Sequence, residues 1–169
     1  MYELSGMTVM PKPRARKPDD PEAVVSEFVE QLGLIGEADG LPRIAGRILG
    51  LLVIHGGPLS FAEIAQRLQV SRGSVSTNTR LLEHFGMVER VARPGERQDY
   101  FSLAPDPYYR LMRGLSDRKR RAQAIVNKAK DALPPDWSGA KKRLASLSSF
   151  YGLVSEVSET LSRDLKDKT

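Results

Sequence analysis

The chain contains no cysteine. That absence excludes disulfides, thiolate metal sites and thiol-based redox sensing together, and it fits a reducing compartment. Histidine is scarce: His55 and His84 are too few for a histidine-rich metal cluster, so neither a metal nor a cofactor is expected. Long hydrophobic runs are missing. The most aliphatic stretch, Ile48 to Ile54, is interrupted by Gly50 and falls far short of the roughly 20 apolar residues a membrane span requires. The first residues lack an apolar signal core and carry Lys12, Arg14, Arg16 and Lys17 among Pro11, Pro13 and Pro18. This predicts a cytoplasmic protein with a flexible basic arm over residues 1–19. Phosphate-cradling glycine loops, paired catalytic carboxylates and nucleophile triads are also wanting, so an enzyme is not expected.

What is present is a chain of 169 residues, 40% hydrophobic and 28% charged, enough for one domain with a core and a helical extension. Its formal net charge of +5 favours polyanionic partners such as nucleic acid. Asp20-Pro21 opens a first helix, since Asp caps free amides and Pro suits the first helical position. Val25, Phe28, Val29 and Leu32 follow at helical spacing, and the glycine-containing stretch from Gly33 to Gly40 is expected to weaken that helix. Ile44, Ile48, Leu49, Leu51 and Leu52 predict a second, deeply buried helix ended by Gly56-Gly57-Pro58.

Ser60-Phe61-Ala62-Glu63 is a capping box, in which Ser60 and Glu63 reciprocally satisfy backbone amides. A short helix carrying Phe61, Ile64 and Leu68 then meets a tight turn at Gln69-Val70. Ser71 caps another helix that runs to about Phe85, and Gly86 is placed to end it in a left-handed conformation. Val88–Ala92 and Tyr100–Leu103 pair as strands about a turn-rich tip, Arg93 to Arg97. Two helices joined by a very short turn and trailed by a hairpin define a winged helix-turn-helix. Asp106-Pro107 repeats the Asp-Pro helix start, Pro134-Pro135 breaks that helix, and a last one spans about Ser138 to Lys166. The expected fold class is mainly α with a small β-hairpin wing. Residues 20–104 form the winged helix-turn-helix domain with its leading helices, and residues 105–169 a helical dimerisation region.

At about 100° per residue, the helix after Ser71 turns Val75, Leu82 and Phe85 inward. Gly73, Ser76, Thr77, Arg80 and His84 then face outward, with Arg72 flanking them and no acid before Glu83. Small polar groups admit a helix to base edges, and Arg pairs with guanine or grips phosphate. Arg93 and Arg97 on the hairpin tip suit a narrow minor groove, although Glu89, Glu96 and Asp99 balance their charge as on any surface hairpin. The cluster Arg118-Lys119-Arg120-Arg121 is either a solvated helix face or a flank for DNA.

The segments GLPRIAGRILG (Gly40 to Gly50), SRGSVSTNTRLLE (Ser71 to Glu83) and VERV (Val88 to Val91) resemble the MarR-type winged-helix transcriptional regulators, and within them the glycine-betaine-repressor (GbsR-like) branch. The resemblance covers about residues 20–165. It implies a sequence-specific DNA-binding regulator, a repressor released by a small ligand, that binds a palindromic operator in double-stranded DNA as a homodimer. It carries base reading onto Ser74, Ser76, Thr77, Asn78 and Arg80 and the wing role onto Arg93 and Arg97. Leu144, Leu147, Tyr151, Val154, Leu161 and Leu165 form the expected dimerisation stripe. Some relatives sense choline, a cation suited to aromatic cages, and Phe28, Tyr108, Tyr109, Trp137, Phe150 and Tyr151 are the candidate walls of such an effector pocket. The rival expectation is a winged-helix protein-interaction module that reads no DNA.

Overall fold

The computed structural model describes residues 20–167. The basic arm expected over residues 1–19 lies outside the described residues. The elements in chain order are α1 (Pro21–Ala38), α2 (Arg43–His55), β1 (Leu59–Ser60), α3 (Phe61–Leu68), α4 (Arg72–His84), β2 (Val88–Val91), β3 (Tyr100–Leu103), α5 (Pro107–Ala132) and α6 (Ser138–Lys166). The three strands form one antiparallel sheet in the order β1-β3-β2, with Leu59 opposite Phe101 and Val88 opposite Leu103. The wing hairpin was legible in the sequence, whereas its third strand, two residues long, is too short to show any period.

Asp20 starts α1 as expected, accepting a hydrogen bond from the Glu22 amide at 3.1 Å. The helix does not weaken at Gly33. It continues to Ala38, and the reason is tertiary. Gly33 and Gly36 are buried against Gly46 of α2, and Gly50 lies against Val29 and Leu32 of α1, so the two backbones approach closely at this crossing. A methyl group on Gly46 would stand 2.5 Å from the Leu32 carbonyl oxygen and 2.9 Å from the Gly33 Cα. Glycine gives up about 1 kcal/mol of helix propensity per residue, and the close crossing offsets that loss with backbone contact.

Helix α2 is the axis of the core. Ile48 and Leu52 are fully buried among Leu59, Ile64, Val75, Leu82 and Phe101, with Phe61 tilted onto Phe101 at 4.6 Å between ring centroids. Side chains from α2, α3, α4 and all three strands thus share one apolar cluster, which fixes the helix-turn-helix relative to its wing.

Helices α5 and α6 form an antiparallel hairpin whose mutual face is small and polar. The Ser116 and Ser155 hydroxyls lie 3.0 Å apart, Ser148 donates to the Asn127 side-chain oxygen at 2.8 Å, and Gln123 donates to the Ser148 carbonyl at 3.1 Å. One expectation about α5 fails. Asp106 adopts a left-handed backbone (φ 50°) and makes no side-chain cap, so the second Asp-Pro pair does not repeat the first. Pro107 alone supplies a favourable start there.

Candidate nucleic-acid interface

The surface is built from α3, α4 and the wing. At the start of α3 the capping box is complete: the Ser60 amide donates to Glu63 at 2.8 Å, the Ser60 hydroxyl donates to Glu63 at 2.7 Å, and the Glu63 amide donates to the Ser60 hydroxyl at 3.3 Å. The backbone and then the hydroxyl hydrogen bond from Ser60 hold the Glu63 carboxyl below its ordinary 4.5. A carboxyl lowered on folding stabilises above its unfolded pKa, and that contribution fades as pH falls through the folded value. Ser60→Ala is therefore expected to lower stability by about 1 kcal/mol at neutral pH. In urea melts of the variant and the parent chain at several pH values, the difference should shrink below pH 4.5.

The turn between α3 and α4 is made by Gln69, in the left-handed region at φ 53°, and the Val70 amide returns to the Ala65 carbonyl at 3.0 Å. Ser71 then caps α4 by accepting from the Ser74 amide at 3.1 Å. A strut missed in the sequence ties this turn to the leading helices. Arg47 of α2 donates to the Leu68 carbonyl at 2.9 Å and pairs with Glu30 of α1 at 2.7 Å. An arginine on an apolar helix gives no pattern by which to foresee that contact.

On α4, Arg72, Thr77 and Arg80 are exposed and Ser74 and Ser76 half-buried. Ser74 is partly engaged, its hydroxyl 2.9 Å from that of Ser71. Asn78 does not join this face. It is 7% exposed, and its amide nitrogen donates to the Ser74 carbonyl of its own helix at 2.7 Å, so it belongs to the buried side with Thr79. The correction follows from geometry. At about 100° per residue, position 78 lies about 60° from Val75 and about 40° from Leu82, the two inward residues.

The wing tip spans residues 92–99, with Gly95 at φ 82°. Its two arginines take different places. Arg97 is exposed and makes no ion pair among the described residues. Arg93 is instead stacked over the Tyr100 ring at 4.0 Å and donates to the Pro58 carbonyl at 3.4 Å. The acids that seemed to balance the tip are mostly engaged. Asp99 pairs with Arg90 at 3.2 Å, and Glu96 accepts from the Tyr100 hydroxyl and from Gln98. Those two hydrogen bonds, Tyr100 first, keep the Glu96 carboxyl below its ordinary value, and the same bond to Glu96 raises the Tyr100 hydroxyl. Between wing and helix lies a notch of about 470 Å³, bounded by Arg72, Gly73 and Ser76 on one side and Arg97, Gln98 and Asp99 on the other. Arg72 and Arg80, like Arg97, make no ion pair among the described residues.

The basic cluster of α5 is largely occupied within the chain. Arg113 pairs with Asp117 at 3.7 Å, Arg118 lies over Phe85 at 5.3 Å, Lys119 over Tyr151 at 5.1 Å, and Arg120 pairs with Glu159 at 2.8 Å. Of the dimerisation stripe, Leu147 and Leu161 are exposed, while Leu144, Tyr151, Val154 and Leu165 are half-buried. The apolar residues most open to solvent on α6 are Phe150, Leu153 and Val157, at 55%, 61% and 51%. Leu153 had not been singled out from the sequence.

The six aromatic candidates for an effector cage are not brought together within the chain. Tyr108 and Tyr109 sit at one end of the α5–α6 hairpin, in a small cavity of about 180 Å³ with Leu165. Trp137 is exposed at the other end, a distance of roughly 39 Å along the 26 residues of α5. Phe28 lies on α1, and Phe150 is exposed mid-way along α6 beside half-buried Tyr151. A larger cavity of about 510 Å³ lies elsewhere, between α1, α2 and the end of α3, with Val25, Val29, Leu51 and Leu68 as its floor and Arg47 and Arg67 on its rim. Among the described residues no cluster of His, Asp or Glu is arranged to hold a metal ion, and no helix is long and apolar enough to cross a membrane.

A capped two-helix unit with a three-residue turn and an arginine-bearing wing finds its match among known proteins. The model of the MarR family matches residues 39–99. The chain is 36% identical over 147 residues to the HTH-type transcriptional regulator MmpR5 of Mycobacterium tuberculosis, an alignment covering 84% of this chain and 87% of that protein. The chain belongs to the MarR family. A crystal structure of a transcriptional regulator superposes with a TM-score of 0.74 at 30% identity, covering 85% of this chain and 99% of the other. The HTH-type transcriptional repressor OpcR of Bacillus subtilis is 23% identical over 87 residues, 52% of this chain and 47% of that protein. As a member of the MarR family the protein is a DNA-binding winged-helix regulator of transcription, and the relatives named here are regulators rather than enzymes.

Proposed function

We propose that this MarR-family protein is a repressor that recognises a palindromic operator as a homodimer, with α4 in the major groove and the wing in the adjacent minor groove. One observation carries the reading. Arg72 and Arg80 on α4 and Arg97 across the notch are three exposed guanidinium groups without a carboxylate partner among the described residues, whereas Glu83 and Asp99 beside them are paired with Arg90. Unpaired arginines that flank small side chains suit a polyanion with a shaped edge. Base reading is assigned to Ser76, Thr77 and Arg80, phosphate contact to Arg72, and minor-groove contact to Arg97. In a homodimer the two α4 helices would address half-sites one turn apart, roughly 34–36 Å. Repression follows the character of OpcR, and the GbsR-like branch rests on the segments at Gly40–Gly50 and Ser71–Glu83. The proposed place of action is the cytoplasm.

Release by a small ligand is assigned to the cavity floored by Val25, Val29, Leu51 and Leu68, whose size suits a drug-sized molecule. It lies beside the Arg47 strut, so an occupant that alters the Glu30–Arg47 pair would bear on the helix-turn-helix through Leu68. A thermal-shift screen of quaternary ammonium compounds and hydrophobic anions tests this, and stabilisation with unchanged operator affinity would remove it.

The DNA reading separates two arginines. Arg80→Ala is expected to weaken operator binding by about 1–3 kcal/mol and to relax preference at one base pair. Arg97→Ala should weaken operator and scrambled duplexes more evenly and lower the salt slope by about one. Titrations against both duplexes at two salt concentrations check this. Equal losses on both duplexes for Arg80→Ala would make that arginine a phosphate contact, and no operator preference in the parent chain would sink the regulator reading.

A further inference from the structure

Arg97 can act at a groove only if the loop that carries it holds its shape, yet residues 92–99 lie outside both strands. Ordering a long side chain and its loop at the moment of binding subtracts from affinity. Here much of the ordering is already done: the Glu96 amide donates to the Arg93 carbonyl at 3.1 Å, and one side chain, Tyr100, gathers both limbs. Arg93, on the outgoing limb, lays its guanidinium over the Tyr100 ring at 4.0 Å and donates to the Pro58 carbonyl at 3.4 Å. On the returning limb Gln98 donates to the Tyr100 hydroxyl oxygen at 2.7 Å, and that hydroxyl donates to the Glu96 carboxylate. Gln98 also donates to Glu96 at 3.3 Å, which closes a triangle around the hydroxyl.

Tyr100 is itself fixed. It is 4% exposed and stands at the start of the central strand, opposite Ser60 on one side and Val91 on the other. Both chain neighbours of Arg97, Glu96 and Gln98, are therefore bound to an immobile ring, and Arg97 between them faces Arg72 across the notch.

We propose that Tyr100 is a positioning residue for DNA binding, which clamps both limbs of the wing tip so that Arg97 is held opposite Arg72 before a duplex arrives. The proposal rests on the DNA reading of the α4–wing surface given above. It also gives Arg93 a role other than the groove contact expected from the sequence: its charge is spent on the ring and on Pro58, and it steadies the loop. Tyrosine is needed for two separable reasons. The ring fills the sheet and carries Arg93, while the hydroxyl anchors Glu96 and Gln98.

Tyr100→Phe separates the two, because it keeps the ring and removes only the anchor. In the full-length free protein, amide hydrogen exchange at residues 93–98 should quicken several-fold while protection in α2 and α4 stays unchanged. Affinity for a duplex selected by the parent protein from a random pool should fall about three- to tenfold, the equivalent of ordering one long side chain. On an Arg97→Ala background the same substitution should add less than about twofold, since the side chain being positioned is gone. Glu96→Ala, in an exposed loop residue, repeats the test without touching the sheet. Unchanged exchange at residues 93–98, or losses that simply multiply on the Arg97→Ala background, would overturn the clamp. Failure of the parent protein to bind any duplex would remove the DNA reading instead, and the exchange measurement, made without DNA, tells the two apart.

Discussion

Replacing Gly46 with alanine is expected to destabilise the protein by about 3 kcal/mol, the upper end of the range for overpacked cores. The added carbon would meet the Leu32 carbonyl oxygen and the Gly33 Cα, both backbone atoms that no rotamer change can move aside. Relief requires α1 to lift away from α2, which also loosens Val29 and Leu51 at the crossing. On propensity alone the change would stabilise α2 by about 1 kcal/mol, so the two accounts differ in sign. Urea denaturation decides between them. Gly40→Ala provides a contrast: a Cβ there meets nothing within 4 Å, and only the strain of φ 85° opposes it.

Val157→Glu combined with Leu153→Glu is expected to yield a monomer and to lower operator affinity by about 100-fold. Phe150, Leu153, Val157 and Leu161 lie along one solvent-facing side of α6, a stripe of the kind that marks an association surface. Two carboxylates in that stripe would have to be buried unpaired for a second copy to seat. With only one α4 per particle, the gain from engaging two half-sites together is lost, and that gain is about 100-fold or more. Sedimentation at micromolar concentration and operator titration check the two parts separately. A parent chain that sediments as a monomer would sink the homodimer proposal, and a variant that stays dimeric would place the interface on another face.

Where local chemistry dictates local structure, the sequence was readable. The capping box at Ser60 and Glu63, the cap at Ser71 and the left-handed Gly86 each depend on residues within one turn of each other. The exposed face of α4 was readable for the same reason, since helical period alone separates Ser76, Thr77 and Arg80 from Val75 and Leu82. What was misread depends on partners far along the chain. Gly33 looks like a helix breaker until Gly46 is brought against it. Arg93 and Arg97 are indistinguishable in a turn-rich tip, and only the position of the Tyr100 ring assigns one to the loop and leaves the other free. The aliphatic cavity escaped because Val25, Val29, Leu51 and Leu68 read as core residues whether or not they enclose space. The serine contacts between α5 and α6 escaped because Ser116, Ser148 and Ser155 carry no apolar period by which to foresee them.

That serine seam makes the two halves of the chain answer temperature differently. Opening the lobe around α2 exposes Ile48, Leu52, Ile64 and Phe101 to water, and newly wetted apolar surface raises heat capacity. Parting α5 from α6 exposes the hydroxyls of Ser116, Ser148 and Ser155 beside buried Val126 and half-buried Val154, so polar surface that lowers heat capacity accompanies the apolar surface that raises it. The lobe is therefore expected to have the more strongly domed stability curve of the two halves. Chilling is expected to weaken the half that carries α4 and the wing more than the grip between α5 and α6.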